Sequence, residues 1–358
     1  MKNLPSSGLF VPLYDSETIN LYLAKGIYGV LTAPVLGEVK GVSKHYAALA
    51  DFACAREGTH IFFFNERKVV YGGQTTGSPK YGSYHLNGPY SPMGRVAKSS
   101  VVWDESNRKI YEATDKPGIF RVTIGDNKEE RCQPYLIRFV DKLDLKGKSI
   151  TSDDLYVELS ASYHYPLPSN SIQSMSFCTL TPFETDILIS LLQKGSENFF
   201  KEPIDKIDFK GKPVLFNPSL GIQKLSQASS KYHFEASVIS NPDLLPNELR
   251  PENATICRNI PITPFKPSQM DRADICYYTD PKIQNGTIPN KVLELEWKKA
   301  GEDNILKIVR YIKWLNRVIP KESSDIIFYL FAPEFKNNIN KFIPRDFSSQ
   351  IKLIKWDN

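Results

Sequence analysis

The sequence has 358 residues, of which 41% are hydrophobic and 24% are charged, and its formal net charge is +5 at pH 7. This composition is typical of a folded protein of two domains, and it excludes a disordered or fibrous chain. The small positive charge permits a polyanionic partner without requiring one. No apolar run approaches the roughly 20 residues of a membrane span and the N-terminus shows no signal-peptide core, so we expect no membrane partner.

The five cysteines are scattered, and none forms a CxxC pair or a Cys/His ligand pair. This spacing disfavours a structural zinc site and a disulfide framework. We therefore expect reduced, mostly buried thiols in a cytoplasmic protein.

Residues 1 to about 180 are rich in strand patterns, which predicts a small open β-barrel. The patterns place two strands in residues 58–74 around a turn at Asn65-Glu66-Arg67, and further strands at residues 98–103, 109–113, 118–123 and 135–140. A helix is predicted around residues 44–56, after a possible cap at Ser43. The Gly- and Tyr-rich segment 75–94 is too long for an ordinary connection, so we interpret it as a functional loop.

Residues 181–225 are predicted to form a helical connector. Its helix has Thr181 as N-cap, Pro182 in the first turn and Gly195 at the end, and a Lys-, Pro- and Gly-rich stretch follows.

The pattern changes at residue 226, where a third unit is predicted to begin and to continue to residue 358. Its predicted elements are a helix within 226–246, strands at 273–280 and 291–300 around an Asn-Gly turn, a helix at 301–320, a buried strand at 325–332, a short helix at 333–342 and a strand at 351–356.

Residues 291–300 alternate, so one strand face would present Glu294, Glu296 and Lys298 together. A hairpin partner strand can bring Asp274 beside Glu296. Paired carboxylates bind a hard cation through oxygen, and such an ion activates water for phosphodiester hydrolysis. The alternative is the solvated face of an ordinary antiparallel strand.

The predicted helix 301–320 has two faces. Its apolar stripe consists of Ile305, Ile308, Val309, Ile312 and Leu315, and its basic stripe consists of Lys307, Arg310, Lys313 and Arg317. A basic stripe beside an acidic site is suited to holding a phosphate backbone. The alternative is a solvated helix face.

Three segments together resemble the PD-(D/E)XK nuclease superfamily, and most closely its branch of mismatch- and branched-DNA endonucleases. They are Arg272-Ala-Asp274, Glu296-Trp-Lys298 and residues 305–315. The resemblance implies a restriction-endonuclease-like αβββαβ fold. It also implies that Asp274 and Glu296 bind a catalytic Mg²⁺, for which Mn²⁺ can substitute, and that Lys298 is the catalytic lysine.

The same resemblance suggests supporting residues. It places Arg310 and Tyr311 at the cleft, with Lys307 where the family often has Gln. Glu294 is an extra carboxylate that would be a metal ligand or lie behind one. Glu235, on the first helix, would add an acidic group to the site; the alternative for Glu235 is an exposed helix residue.

Residues 26–74 resemble the PUA-like group that includes EVE and YTH domains, in which an aromatic pocket holds a flipped, often modified, base. Base recognition outside the duplex uses aromatic faces with a few hydrogen bonds. The candidate base-reading and DNA-binding residues are Lys44, Tyr46, Phe62, Phe64, Tyr81, Tyr84 and Trp103. For each single aromatic residue, the alternative is a place in the core.

These features predict an α+β protein in which residues 1–180 read nucleic acid and residues 226–358 cut it. The leading hypothesis is a magnesium-dependent, restriction-type endonuclease of anti-phage defence that cuts double-stranded DNA, with a modified base as candidate signal. Cutting both strands would favour a homodimer. The alternatives are a repair endonuclease specific for mismatches or branches, and a non-catalytic nucleic-acid-binding protein.

Overall fold

The computed structural model describes residues 6–13, 15–32, 42–78, 81–86, 111–113, 119–124, 127–160, 177–195, 197–201, 204, 214–215, 222–251, 253–263, 271–279, 289–318 and 323–356. The strand predicted at residues 98–103 lies outside these ranges, as do residues 79–80 and 87–94 of the predicted loop 75–94.

The described residues form a mixed α+β protein with a curled half-barrel sheet and a second, smaller sheet. The helices are α1 (Ser16–Lys25), α2 (Val42–Cys54), α3 (Ser152–Ser160), α4 (Pro182–Gly195), α5 (Lys231–Ser240) and α6 (Glu302–Val318). The strands are β1 (Gly8–Pro12), β2 (Ile27–Gly29), β3 (His60–Asn65), β4 (Lys68–Thr75), β5 (Tyr84–Leu86), β6 (Tyr111–Ala113), β7 (Ile119–Ile124), β8 (Asn127–Cys132), β9 (Tyr135–Val140), β10 (Lys148–Thr151), β11 (Cys178–Leu180), β12 (Glu197–Asn198), β13 (Val214–Leu215), β14 (Thr255–Thr263), β15 (Asp271–Tyr278), β16 (Lys291–Leu295), β17 (Ile327–Ala332) and β18 (Ile351–Lys355).

The larger sheet follows the order β11-β1-β3-β4-β9-β5-β13, with β2 beside β9 and β10 between β4 and β12. β1 and β3 are parallel, whereas β3 and β4 form an antiparallel hairpin. Its turn has Glu66 and Arg67 at φ angles of 47° and 63°. Two successive positive φ angles match the twist of a tight hairpin, and the predicted turn is confirmed. Strands β6, β7 and β8 form a separate antiparallel sheet.

Helix α4 begins where the sequence predicts. The Glu184 carboxylate accepts hydrogen bonds from the Thr181 amide at 2.7 Å and the Thr181 hydroxyl at 2.9 Å, while the Glu184 amide donates to that hydroxyl at 3.3 Å. This reciprocal cap satisfies amide groups that the first turn leaves unpaired. The two short strands after α4, β12 and β13, pair with β10 and β5, so described parts of the predicted connector extend the larger sheet.

The smaller sheet has the order β14-β15-β16-β17-β18. Its first three strands are antiparallel, and β16, β17 and β18 are parallel. Helix α5 precedes the sheet and α6 connects β16 to β17. The apolar stripe predicted on α6 is confirmed, because Ile305, Ile308, Val309, Ile312 and Leu315 are all buried in the core beneath the sheet.

The two sheets share one hydrophobic core through α2 and α5. That core runs from Leu9 and Phe63 of the larger sheet to Leu293 and Phe331 of the smaller one. At the contact, the Tyr46 ring of α2 stacks on His233 of α5, with ring centroids 3.8 Å apart. No helix within the described ranges is long and apolar enough to cross a membrane.

Candidate active site

The site lies where β15 and β16 run side by side. Their register pairs Ile275 with Leu293, and continued by one residue it places Asp274 opposite Glu294. The Asp274 carboxylate also accepts a hydrogen bond from the Leu295 amide at 2.8 Å. Both carboxylates are mainly enclosed, since Asp274 is 8% and Glu294 is 3% exposed. The sheet therefore fixes two acidic side chains on adjacent strands.

Strand β16 is shorter than predicted, because it ends at Leu295. The Leu295 amide bonds to the Asp274 side chain, and the Glu296 amide donates to the Phe331 carbonyl at 2.9 Å. The chain then bends at Trp297 and Lys298. The prediction that one strand face carries Glu294, Glu296 and Lys298 is therefore wrong.

Asp274 and Glu296 nevertheless converge on one cation, the ammonium of Lys231. Its Nζ lies 3.4 Å from Asp274 Oδ2 and 3.9 Å from Glu296 Oε1. Asn304, at the start of α6, donates to the same Glu296 oxygen at 2.7 Å. Lys231 is the first residue of α5, and the side chain of the N-cap Ser230 accepts a hydrogen bond from the His233 amide. Sequence reasoning missed Lys231, since a cap shows where a helix begins but not what its first turn contacts.

Glu294 is held by the other helix of this unit. Its Oε2 accepts a hydrogen bond from Lys307 at 2.6 Å, whereas its buried Oε1 has no hydrogen-bond partner within the described ranges. Burial and, next, the negative charge of Asp274 raise the pKa of Glu294 to about 8, and Lys307 opposes that rise. Lys307 thus faces the acidic site, whereas Arg310, Lys313 and Arg317 are exposed.

Lys298 lies on the surface of the protein, whereas Tyr311 lies in the core. Lys298 is exposed, with its ammonium 5.7 Å from the centre of the Trp297 ring. The cation at Asp274 and Glu296 in this structure is Lys231. Tyr311 is buried, and its hydroxyl donates to the Arg272 carbonyl at 2.7 Å, which ties α6 to β15 beside the site.

Glu235 is neither an exposed helix residue nor at the two convergent carboxylates. It is 2% exposed, and its carboxylate accepts hydrogen bonds from Arg258 Nε at 2.8 Å and Nη2 at 3.0 Å. Arg258 also binds Asp51 of α2. The expectation of a direct role for Glu235 is therefore corrected, because this carboxylate belongs to a buried triad that joins α5, β14 and α2.

Several candidate base-reading residues lie in the core or against the other sheet. Phe62 and Tyr84 are 0% exposed, and the Tyr84 hydroxyl is 3.1 Å from Ser240 of α5. The buried Tyr46 stacks on His233 as described above. None of these three rings presents a face to a base in this structure.

Two other candidate base readers are partly accessible. The Phe64 ring is half-buried beside Phe10, and the Tyr81 hydroxyl donates to Asp243 at 3.3 Å. Trp103 and the side chain of Lys44 lie outside the described residues.

The two convergent carboxylates suit a small hard cation. Within the described ranges, no group of three or more His, Cys, Asp and Glu side chains is placed to hold a metal ion. Magnesium, however, is usually bound by one or two carboxylates and completes its shell with water and substrate phosphate. Asp274 and Glu296 match that donor set. The Glu294 oxygen that has no hydrogen-bond partner among the described residues adds a buried acceptor beside Asp274.

No protein-family model and no curated protein matches the chain. Two solved structures are similar to it at low identity. A repair endonuclease from Pyrococcus abyssi is 11% identical, with 95% of this chain and 93% of that chain covered and a TM-score of 0.22. An EndoMS–dsDNA2 complex is 9% identical, with 81% and 77% covered and a TM-score of 0.22. A TM-score of this size establishes no shared fold.

Proposed function

We propose that this protein is a metal-dependent DNA endonuclease of the PD-(D/E)XK kind, with Asp274 and Glu296 as its metal ligands. The observation that carries the proposal is the convergence of these two carboxylates on a single cation, at 3.4 Å and 3.9 Å from Lys231 Nζ. Two carboxylates that already share one positive charge can bind a divalent ion in its place. The order of α5, β14 to β16, α6 and β17 agrees with the αβββαβ arrangement that the resemblance implies.

Each site residue would have a separate role. Asp274 and Glu296 would hold Mg²⁺, which when bound polarises the scissile phosphate and lowers the pKa of an attacking water. Hydrogen bonds hold both carboxylates in place: the Leu295 backbone amide donates to Asp274, and the Asn304 side-chain amide donates to Glu296. Lys298, exposed just beyond β16, has a flexible stem that can bring its ammonium to the negative charge developing on the phosphate.

The exposed face of α6 would hold the DNA backbone. The exposed basic residues of this helix are Arg310, Lys313 and Arg317. Lys307, nearer the start of the helix, donates a hydrogen bond to Glu294. Each lysine or arginine that neutralises a phosphate releases counter-ions, so DNA binding should weaken as salt rises.

We propose that residues 1–180 select the DNA. The buried positions of Tyr46, Phe62 and Tyr84 remove them from the base-reading set. The remaining candidates are Phe64, Tyr81 and the residues whose side chains lie outside the described ranges. Recognition of a modified base would make the protein a restriction-type enzyme, and recognition of mismatches or branches would make it a repair enzyme. Two copies would be needed to cut both strands, one site for each.

The test is digestion of a DNA panel by the wild-type chain with Mg²⁺ or with EDTA. The panel contains unmodified plasmid, plasmids with modified cytosine or adenine, and mismatched and branched duplexes. We expect magnesium-dependent cutting of one class, and loss of cutting in Asp274→Asn, which keeps an oxygen for the Leu295 amide but loses the charge. Cutting by Asp274→Asn at the wild-type rate, or no cutting of any substrate, would refute the proposal.

A further inference from the structure

Lys231 has no place in the Glu296-Trp-Lys298 motif, yet it is the cation that contacts both proposed metal ligands. It occupies the first position of α5, where the helix dipole disfavours a positive charge. The preference of the helix therefore does not explain its position. The acidic surroundings do, because the ammonium forms ion pairs with both Asp274 and Glu296.

We propose that Lys231 is the built-in counter-ion of the metal site, which a divalent cation must displace in order to bind. The inference rests on the proposed function, because it takes Asp274 and Glu296 as metal ligands. The ammonium and a divalent ion would use the same Asp274 and Glu296 oxygen atoms. Two cations competing for the same oxygens cannot both be bound there at full strength.

The side chain can leave without moving its helix. Lys231 is 41% exposed, and its flexible stem allows the ammonium to swing into solvent. Helix α5 itself is fixed by contacts that do not involve Lys231, through Glu235 to Arg258 and through the stacking of His233 on Tyr46. Displacement therefore requires only rotation of the Lys231 side chain.

Lys231 would also stabilise the metal-free protein. Without a cation, Asp274 and Glu296 would present two like charges beside the buried Glu294, which lies opposite Asp274. The cost of this protection is weaker metal binding. Removing Lys231 should therefore strengthen metal binding, whereas removing a lysine whose only role is to support the fold would leave the affinity unchanged or reduce it.

The test is a direct titration of Mn²⁺ into the full chain, read by electron paramagnetic resonance of the unbound ion. The variants are Lys231→Met and Lys231→Gln, which remove the charge, and Lys231→Arg, which keeps it. Lys299→Met is the matched control, since Lys299 is 44% exposed and also lies 3.4 Å from a carboxylate, that of Glu334. Circular dichroism checks the folding of each variant.

We expect both charge-removing variants to bind Mn²⁺ about tenfold more tightly, the change that corresponds to about 1.4 kcal/mol. Lys231→Arg and Lys299→Met should bind it as the wild type does. Unchanged or weaker binding by the folded Lys231→Met and Lys231→Gln chains, beside normal binding by the wild type, would overturn the role of Lys231 and leave the proposed function standing. Absence of Mn²⁺ binding in the wild type and in every variant would overturn both.

Discussion

Replacing Arg258 by methionine should destabilise the protein strongly. The Arg258 side chain is 4% exposed, and its guanidinium binds Asp51 of α2 and Glu235 of α5, whose side chains are 8% and 3% exposed. Arg258→Met preserves much of the side-chain volume but leaves two enclosed carboxylates without their shared partner. Breaking a buried ion pair from one side costs about 3–5 kcal/mol, and we expect a loss of that size in the free energy of unfolding.

The loss should depend on pH. Burial raises the pKa of Asp51 to about 6, although Arg258 opposes the rise. Without Arg258 the folded-state pKa of Asp51 would be higher still, above the value in the unfolded chain. A carboxyl group shifted in this direction destabilises the fold at high pH, and the penalty disappears as protons bind in the folded state. The difference between wild type and variant should therefore narrow as the pH falls from 8 toward 5.

The assay is urea unfolding followed by tryptophan fluorescence at pH 8 and pH 5, since a shift in the midpoint reports the change in stability. Arg67→Met is the matched control, because Arg67 forms an ion pair with Asp153 in which both side chains are largely exposed, at 76% and 66%. Such a pair contributes under about 1 kcal/mol. A loss in Arg258→Met no larger than in this control, or equal at both pH values, would refute the reasoning.

Three smaller changes can be measured by the same titration. Thr181→Ala removes the hydroxyl of the α4 cap and should lower the free energy of unfolding by about 1 kcal/mol, whereas an unchanged midpoint would contradict the capping role. Tyr84→Phe removes the buried contact to Ser240 and should cost about 1 kcal/mol, and a neutral effect would mean that this contact does not link the two halves. Glu66→Gly relieves a positive φ of 47° and should stabilise by about 0.5 kcal/mol, so destabilisation would contradict the hairpin geometry.

The elements that the sequence predicted correctly are bounded by turn or capping residues close to them in the chain. Strands β3 and β4 flank Asn65-Glu66-Arg67, and β9 has the predicted bounds. Helix α1 was not predicted, although its ends have comparable signals: Asp15 accepts a hydrogen bond from the Thr18 amide at 2.6 Å, and Gly26 ends the helix at a φ of 61°. An Asp-x-x-Thr cap with a glycine stop would have located α1.

Strand β14 was not predicted, because what stabilises it lies far away in the sequence. Arg258, in its middle, would be an improbable core residue without its carboxylates. Glu235 is 23 residues away and Asp51 is 207 residues away. The local hydrophobic periodicity contains no information about these distant carboxylates. A strand with a buried arginine at its centre therefore resembles a loop when the sequence is considered alone.

The candidate site was likewise predicted only in part. Asp274 and Glu296 were expected to lie close together and both contact the Lys231 ammonium, although the hairpin register places Glu294, and not Glu296, opposite Asp274. The bend after Leu295 was not predictable, because it follows from a hydrogen bond between the Leu295 amide and the Asp274 side chain rather than the neighbouring strand. The same holds for Lys231, whose position depends on how α5 docks against the sheet.

The most direct test of the central claim compares Glu296→Gln with Glu302→Gln on whichever DNA the wild-type chain cuts in Mg²⁺. Glu302 is exposed in the first turn of α6 and serves as the matched control. Loss of one metal-binding carboxylate should slow cutting about 100-fold or more. DNA binding, measured by fluorescence anisotropy in Ca²⁺, should stay close to the wild-type value. Cutting by Glu296→Gln at the rate of Glu302→Gln would contradict the assignment of Asp274 and Glu296 as a shared metal site.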